Sequence, residues 1–125
     1  VILTQGEKMK KIYFLSTCDT CKRIINELTL PEDFQLQDIK SETITKSQIE
    51  EMRQLTDSYE SLFSKRARLY KELDLKNKSL TEDDYKNHIL EHYTFLKRPV
   101  IIVDDNIFIG NSKKVVESAK NAIHE

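Results

Sequence analysis

Glycine and proline are scarce in this chain, with two of each among 125 residues. No Pro/Gly/Ser-rich linker interrupts its middle, and it carries no internal repeat or low-complexity tract. It also has little excess charge of either sign. Twenty Lys and Arg stand against twenty-one Asp and Glu, a formal net charge of -1, so no broad attraction to nucleic acid or to a membrane surface follows. Long apolar runs are missing: no stretch approaches the roughly 20 residues needed to cross a bilayer. The N-terminus lacks the charged, apolar and small-residue order of a secretory signal. The expected setting is cytoplasmic, with no direct nucleic-acid partner and no membrane. Cysteine is equally rare, at two, which is too few for a secreted disulfide scaffold. In a reducing compartment a close pair is more often catalytic, redox-sensing or metal-binding.

What is present begins with those two cysteines, which stand three apart in Cys18-Asp19-Thr20-Cys21. Before them, residues 11–15 (KIYFL) read as a short apolar strand. After them, Ile24, Ile25 and Leu28 in residues 21–28 keep helical spacing. The pair therefore falls at a strand-to-helix junction. With residues 17–19 as candidate caps, Cys18 is expected near the positive end of the helix dipole, where unpaired backbone N–H groups stabilise a thiolate. Cys18 is the candidate nucleophile and Cys21 its resolving partner. A metal site is the competing use: the cysteines with His88 and His92 would supply two sulfurs and two nitrogens, a set suited to structural zinc. The two pairs lie far apart in sequence, however, and histidines four apart on an exposed helix are usually solvated.

At 38% hydrophobic residues the chain is long enough to bury a core as one domain. Residues 1–9 read as a disordered N-terminal arm and 10–124 as the domain. The turn at Leu30-Pro31-Glu32-Asp33 precedes residues 34–39 (FQLQDI), whose alternation fits a half-buried strand and completes a parallel β-α-β unit. From Thr45 the pattern is helical, with capping-box spacing at Thr45-x-x-Gln48 and Ser47-x-x-Glu50 and apolar residues at Ile49, Met52 and Leu55. Short helices are expected around Tyr59, Leu62 and Phe63 and around Leu69, Tyr70 and Leu73, then a polar turn at 74–79. A further helix opens at Thr81 with an acidic first turn and carries Tyr85, Ile89 and His92 on one face. Residues 100–103 (VIIV) read as a buried strand, paired through Asp104-Asp105-Asn106 with 107–109 (IFI). A last helix starts at Gly110-Asn111-Ser112 and carries Val115, Val116, Ala119 and Ile123. The expected architecture is α/β: β-α-β and β-β-α halves forming a four-stranded sheet, with a helical insertion at about 45–95. Tyr59, Phe63 and Tyr70 are expected to pack, and the basic cluster Lys65, Arg66, Arg68 and Lys71 to form a solvated face.

This order, with a CxxC after the first strand and a proline opening the third, resembles a thioredoxin-like fold. More narrowly, the chain resembles the arsenate reductase (ArsC) family, which includes the Spx-type transcription regulators. The likeness is carried by Thr17-Cys18-Asp19-Thr20-Cys21-Lys22-Arg23, by Ser61-Leu62-Phe63-Ser64-Lys65-Arg66 with Leu69-Tyr70-Lys71-Glu72-Leu73, and by Leu96-Lys97-Arg98-Pro99-Val100-Ile101. The resemblance implies that Cys18 is the family's nucleophile, Arg98 its oxyanion-binding arginine and Pro99 its cis proline. It further implies substrate contacts from Thr17, Thr20, Lys22, Lys65 and Pro99. A guanidinium near Cys18 would lower the thiol pKa and offer fork-shaped donors to an oxyanion.

The sequence also departs from the family. Arsenate reductases of this type carry further arginines, one in the helical block and one near the last hairpin. Here the block offers Lys65 and Arg66, and the hairpin reads Phe108-Ile109-Gly110-Asn111, without an arginine. The CxxC instead resembles the redox pair of the Spx-type regulators. Two functions are therefore expected. The first is a thiol-disulfide oxidoreductase acting on an oxyanion or disulfide, needing no metal or organic cofactor and re-reduced by glutathione, glutaredoxin or thioredoxin. The alternative is a redox-switched regulator that binds RNA polymerase.

Overall fold

The apolar run after Met9 forms strand β1 (Lys10–Phe14), with Ile12 and Tyr13 fully buried, and the computed structural model, which describes residues 9–124, places it inside a four-stranded sheet. Strand order is β2-β1-β3-β4, with β2 at Gln35–Asp38, β3 at Val100–Val103 and β4 at Asn106–Ile109. β1 runs parallel to β2, with Ile12 beside Leu36 and Phe14 beside Asp38, and antiparallel to β3; β3 and β4 are an antiparallel hairpin. All four β3 residues are buried, as expected of an inner strand rich in β-branched side chains. Helix α1 (Asp19–Leu28) connects β1 to β2, and the final helix, α5 (Lys113–His124), follows β4.

One core joins these elements: Ile12, Ile24, Leu28, Phe34, Ile101, Val103, Val116 and Ala119, with Phe14, Ile25, Leu30, Phe108, Ala122 and Ile123 packed at its margin. Each large apolar side chain removed from water here contributes roughly 1.5–3 kcal/mol. The far end of α1 is tied to the chain's last helix, because His124 Nε2 lies 2.7 Å from the Leu28 carbonyl oxygen. The Met9 carbonyl accepts the Asp104 N–H at 2.7 Å; the rest of the expected N-terminal arm lies outside the described residues.

The chain divides into two compact units, one ending at Asp38 and resuming at Arg98, the other Ile39–Lys97. The second holds helices α2 (Lys46–Leu55), α3 (Arg68–Glu72) and α4 (Glu82–Glu91), with 3-10 turns at Glu60–Leu62, Leu75–Asn77 and Tyr93–Phe95. Complete capping boxes start α2 and α4, Thr45 with Gln48 and Thr81 with Asp84. Phe63 is the centre of an aromatic group, stacked on Phe95 at 5.0 Å and edge-on to Tyr85 at 4.9 Å and Tyr70 at 5.9 Å. An isolated antiparallel bridge of Phe63 with Leu96 closes the unit, flanked by hydrogen bonds from Ser64 N–H to the Phe95 carbonyl (2.7 Å) and from Lys97 N–H to the Leu62 carbonyl (2.8 Å).

Several sequence expectations are corrected. In β2 the apolar alternation does not set the inner face: Leu36 is 51% exposed, whereas Gln37 is 2% exposed. The strand spans only Gln35–Asp38 at the sheet edge, and its burial anchors, Phe34 and Ile39, lie just outside it. The short helix expected around Tyr59–Phe63 is a single 3-10 turn, Glu60–Leu62. The polar turn at 74–79 holds a buried Leu75. His92 is the C-cap of α4 and does not continue its face.

Loss of a cap leaves backbone donors unmet, so Thr45→Ala and Thr81→Ala should each lower stability by about 1 kcal/mol. Ile101→Ala, which empties part of the core, should cost about 2–5 kcal/mol. Urea denaturation of the three variants beside wild type would check both, and equal losses from caps and core would contradict this picture.

Candidate active site

Between β1 and α1 the chain makes a tight turn in which the Cys18 N–H donates to the Leu15 carbonyl at 3.0 Å. Helix α1 begins at Asp19, and its N-cap is Cys18 itself, in extended conformation (φ -97°, ψ 113°). Of the candidate caps 17–19, the backbone thus selects the middle residue. Sulfur makes no full capping hydrogen bond there, yet the N–H groups of Thr20 and Cys21 come close enough to stabilise negative charge on it. The Cys18 carbonyl starts the helical ladder, accepting from the Lys22 N–H at 3.2 Å.

The two thiols have opposite environments. Partial burial pushes the Cys18 thiol up, but the Cys21 N–H, the Cys21 thiol, the Thr20 N–H and the Arg98 charge together hold it below its ordinary value. Cys21 is fully buried. Burial, followed by the like charge of Cys18 and their mutual hydrogen bond, pushes its thiol up to about 11, against the opposing pull of the Leu15 backbone and Arg98. Both cysteines are free thiols. One residue is poised to ionise, and the other keeps its proton.

Arg98 is half-buried at the entry to β3, and its bond to Pro99 is cis, the form the family resemblance implied. Pro99 is buried, and its carbonyl accepts the Gly110 N–H at 3.0 Å, which ties the start of β3 to the end of β4. Gly110 has φ +96°, a conformation that disfavours any residue with a Cβ. Thr17 is exposed in the turn, Thr20 is half-buried with its N–H directed at Cys18, and the Lys22 side chain is exposed. Lys65 belongs to the Ile39–Lys97 unit, where its Nζ lies 2.7 Å from Glu60 Oε2. In the same basic cluster, Arg68 pairs with Glu72 at 2.9 Å.

Two residues the sequence reading missed also hold this turn. Asp38, the last residue of β2, accepts the Ser16 N–H on Oδ1 at 3.1 Å and the Ser16 hydroxyl on Oδ2 at 2.7 Å. Twenty-two positions separate them, and no local motif links them. Only the parallel register that sets Phe14 beside Asp38 brings them together.

The histidines of the zinc alternative lie in the aromatic group: His88 is 5.4 Å and His92 6.3 Å from Phe95, ring to ring. Among the described residues, no group of three or more His, Cys, Asp or Glu side chains is placed to hold a metal ion, and no helix is long and apolar enough to cross a membrane.

A mixed sheet in the order β2-β1-β3-β4, with a cysteine at the N-cap of α1 and a cis proline opening β3, defines a thioredoxin-like protein. The sequence profile of the ArsC family matches residues 13–119, and the chain belongs to that family. No curated protein matches it significantly. Among solved structures it is similar to an arsenate reductase from Vibrio cholerae (16% identity, TM-score 0.73, 92% of this chain and 98% of that one). It is also similar to an arsenate reductase (ArsC) related protein from Brucella melitensis (19%, TM-score 0.66, 92% and 97%). A third similar structure is SACOL0876 from Staphylococcus aureus (26%, TM-score 0.70, 89% and 98%).

Thiol alkylation followed across pH, with the modified peptides located by mass spectrometry, should separate the two cysteines. Cys18 should react with a midpoint below 9.0, and Cys21 should stay protected until the pH approaches about 11. Equal reactivity of the two in the folded protein would contradict the described asymmetry.

Proposed function

We propose that this chain is a thiol-disulfide oxidoreductase of the arsenate reductase type, with Cys18 as nucleophile, Cys21 as resolving cysteine and Arg98 as the oxyanion-binding residue. The observation that carries this reading is the split between the thiols, Cys18 held low at the start of α1 and Cys21 held high in the core. A thiolate is the attacking species in both thiol exchange and covalent catalysis.

With an arsenate-like oxyanion, the Cys18 thiolate forms a sulfur–arsenic(V) bond and one oxygen leaves as water. Cys21 then loses its proton and attacks the Cys18 sulfur. The electron pair of the sulfur–arsenic bond passes to arsenic, which departs as arsenic(III), and a Cys18–Cys21 disulfide remains. With a disulfide substrate, Cys18 attacks one sulfur and expels a thiolate, and Cys21 resolves the mixed disulfide to release the other. In either case two thiols of glutathione, or the dithiol of glutaredoxin or thioredoxin, return the pair to its reduced form. Once the Cys18 sulfur is in a covalent bond, its charge no longer opposes ionisation of Cys21, so the second step is easier than in the resting dithiol.

The guanidinium of Arg98 offers the forked donor set that suits an oxyanion. Lys65, in the other unit, is engaged with Glu60, and the β4 end Phe108-Ile109-Gly110-Asn111 carries no arginine.

Turnover of arsenate and of a glutathione mixed disulfide, with glutathione, glutaredoxin and thioredoxin supplied in turn, tests the proposal. Cys18→Ser should fall to the uncatalysed level, and Cys21→Ser should trap a mixed disulfide or leave a slower glutathione-dependent reaction. Arg98→Gln should lower kcat/KM about 10²-fold or more for an oxyanion, with a smaller loss for a disulfide. Equal turnover of wild type and Cys18→Ser would sink the enzyme. A reversible Cys18–Cys21 disulfide without turnover for any donor would point instead to a redox-switched binding protein.

A further inference from the structure

We propose that Asp38 is a positioning residue for Cys18, acting through Ser16: its carboxylate clamps the turn that holds the Cys18 sulfur against the first amides of α1. The inference rests on Cys18 being the reactive group of the proposed function, but it concerns the ionisation of that thiol and not the substrate.

The clamp uses both oxygens of one side chain on both donors of one residue, Oδ1 for the Ser16 N–H (3.1 Å) and Oδ2 for the Ser16 hydroxyl (2.7 Å). Hydrogen bonds to an ionised acceptor are shorter and stronger than neutral ones, and two at once fix orientation as well as distance. Asp38 stands on a paired strand end, with Phe14 of β1 as its register partner, so the clamp is built from the sheet and not from another loop. Ser16 lies inside the turn closed by the hydrogen bond from the Cys18 N–H to the Leu15 carbonyl. The same turn reaches both sulfurs, because the Leu15 backbone also acts on Cys21.

Amide groups stabilise a thiolate only when the sulfur lies close to them, since hydrogen bonds weaken steeply with distance and angle. The Thr20 and Cys21 amides are fixed by helix α1, whereas the Cys18 side chain is placed by the turn. A turn released from Asp38 lets the sulfur leave those amides. The charge of Asp38 by itself acts in the opposite direction, because a nearby negative group disfavours a second one. Positioning and electrostatics therefore predict opposite signs when the carboxylate is neutralised, and a role confined to fold stability predicts no shift in the thiol.

The experiment is the pH dependence of Cys18 alkylation by iodoacetamide, read by mass spectrometry of the Cys18 peptide, in wild type, Asp38→Asn, Ser16→Ala and Ser16→Thr. Circular dichroism and the unfolding midpoint are recorded for each variant. Asp38→Asn should move the Cys18 midpoint upward and slow alkylation below that midpoint by about 3–10-fold, as expected for a smaller thiolate fraction. Ser16→Ala, which keeps the Asp38 charge but removes one of the two bonds, should move it the same way by less. Ser16→Thr, which keeps the hydroxyl, should restore the wild-type profile. An unchanged or downward midpoint in folded Asp38→Asn overturns the proposal. If Asp38→Asn does not fold, the contrast between Ser16→Ala and Ser16→Thr decides in its place, and equal profiles overturn it. Because the readout needs no substrate, shifted profiles in a protein without turnover would sink the enzyme and leave the clamp standing.

Discussion

The amide groups that begin helix α1 have no carbonyl partners within the helix, as at every helix start, and the residue placed to meet them is Cys18. An oxygen-bearing cap would satisfy those donors as a neutral group and keep them from doing chemistry. A thiol at that position interacts weakly while protonated and strongly once ionised, so the free energy of the helix start favours the thiolate. The lowered pKa of Cys18 depends on this placement, whereas the raised pKa of Cys21 behind it comes first from burial; the proposed roles of nucleophile and resolver rest on the two together.

The sheet supplies the rigidity that the placement needs. β1 is paired on both sides, parallel to β2 and antiparallel to β3, so the point where it releases the chain into the turn is fixed by hydrogen bonds from two strands. β2 delivers Asp38 to that turn, and the entry to β3 supplies Arg98 and the cis Pro99. Behind the sheet face, Ile24 and Leu28 of α1 are buried with Val116 and Ala119 of α5, which sets the direction in which α1 points its amides. The core thus orients the amides beside Cys18 without touching its sulfur.

Fold and site differed in how readable they were from the residues. The strand-to-helix junction at Cys18, the capping box at Thr45, the helix start at Thr81, the β3–β4 hairpin and the final helix are local: periodicity, caps and turn residues within a few positions specify them, and the structure places them within a residue or two of expectation. β2 was found, but its faces were misread, because alternation says which residues can share a side and not whether an edge strand has anything to cover that side. Leu36 and Gln37 are the result. The N-cap falls within the expected range 17–19, but residue type does not single out Cys18 there: Thr17 and Asp19 are better caps by type, and only the backbone conformation reveals which residue stands at the helix start.

By itself the sequence determined that the chain is an α/β protein with a dithiol at the head of its first helix and an Arg-Pro before its inner strand, since those are properties of neighbouring residues. Tertiary structure decided what the dithiol is worth. The ionisation of two chemically identical side chains three residues apart was separated by burial, by the direction of a few N–H groups and by the hydrogen bond between the two thiols, while Arg98 from a distant segment lowers both. The Ser16–Asp38 contact joins residues twenty-two positions apart through strand register alone. Desolvation and hydrogen-bond geometry depend on distances across space, which close only when the sheet forms.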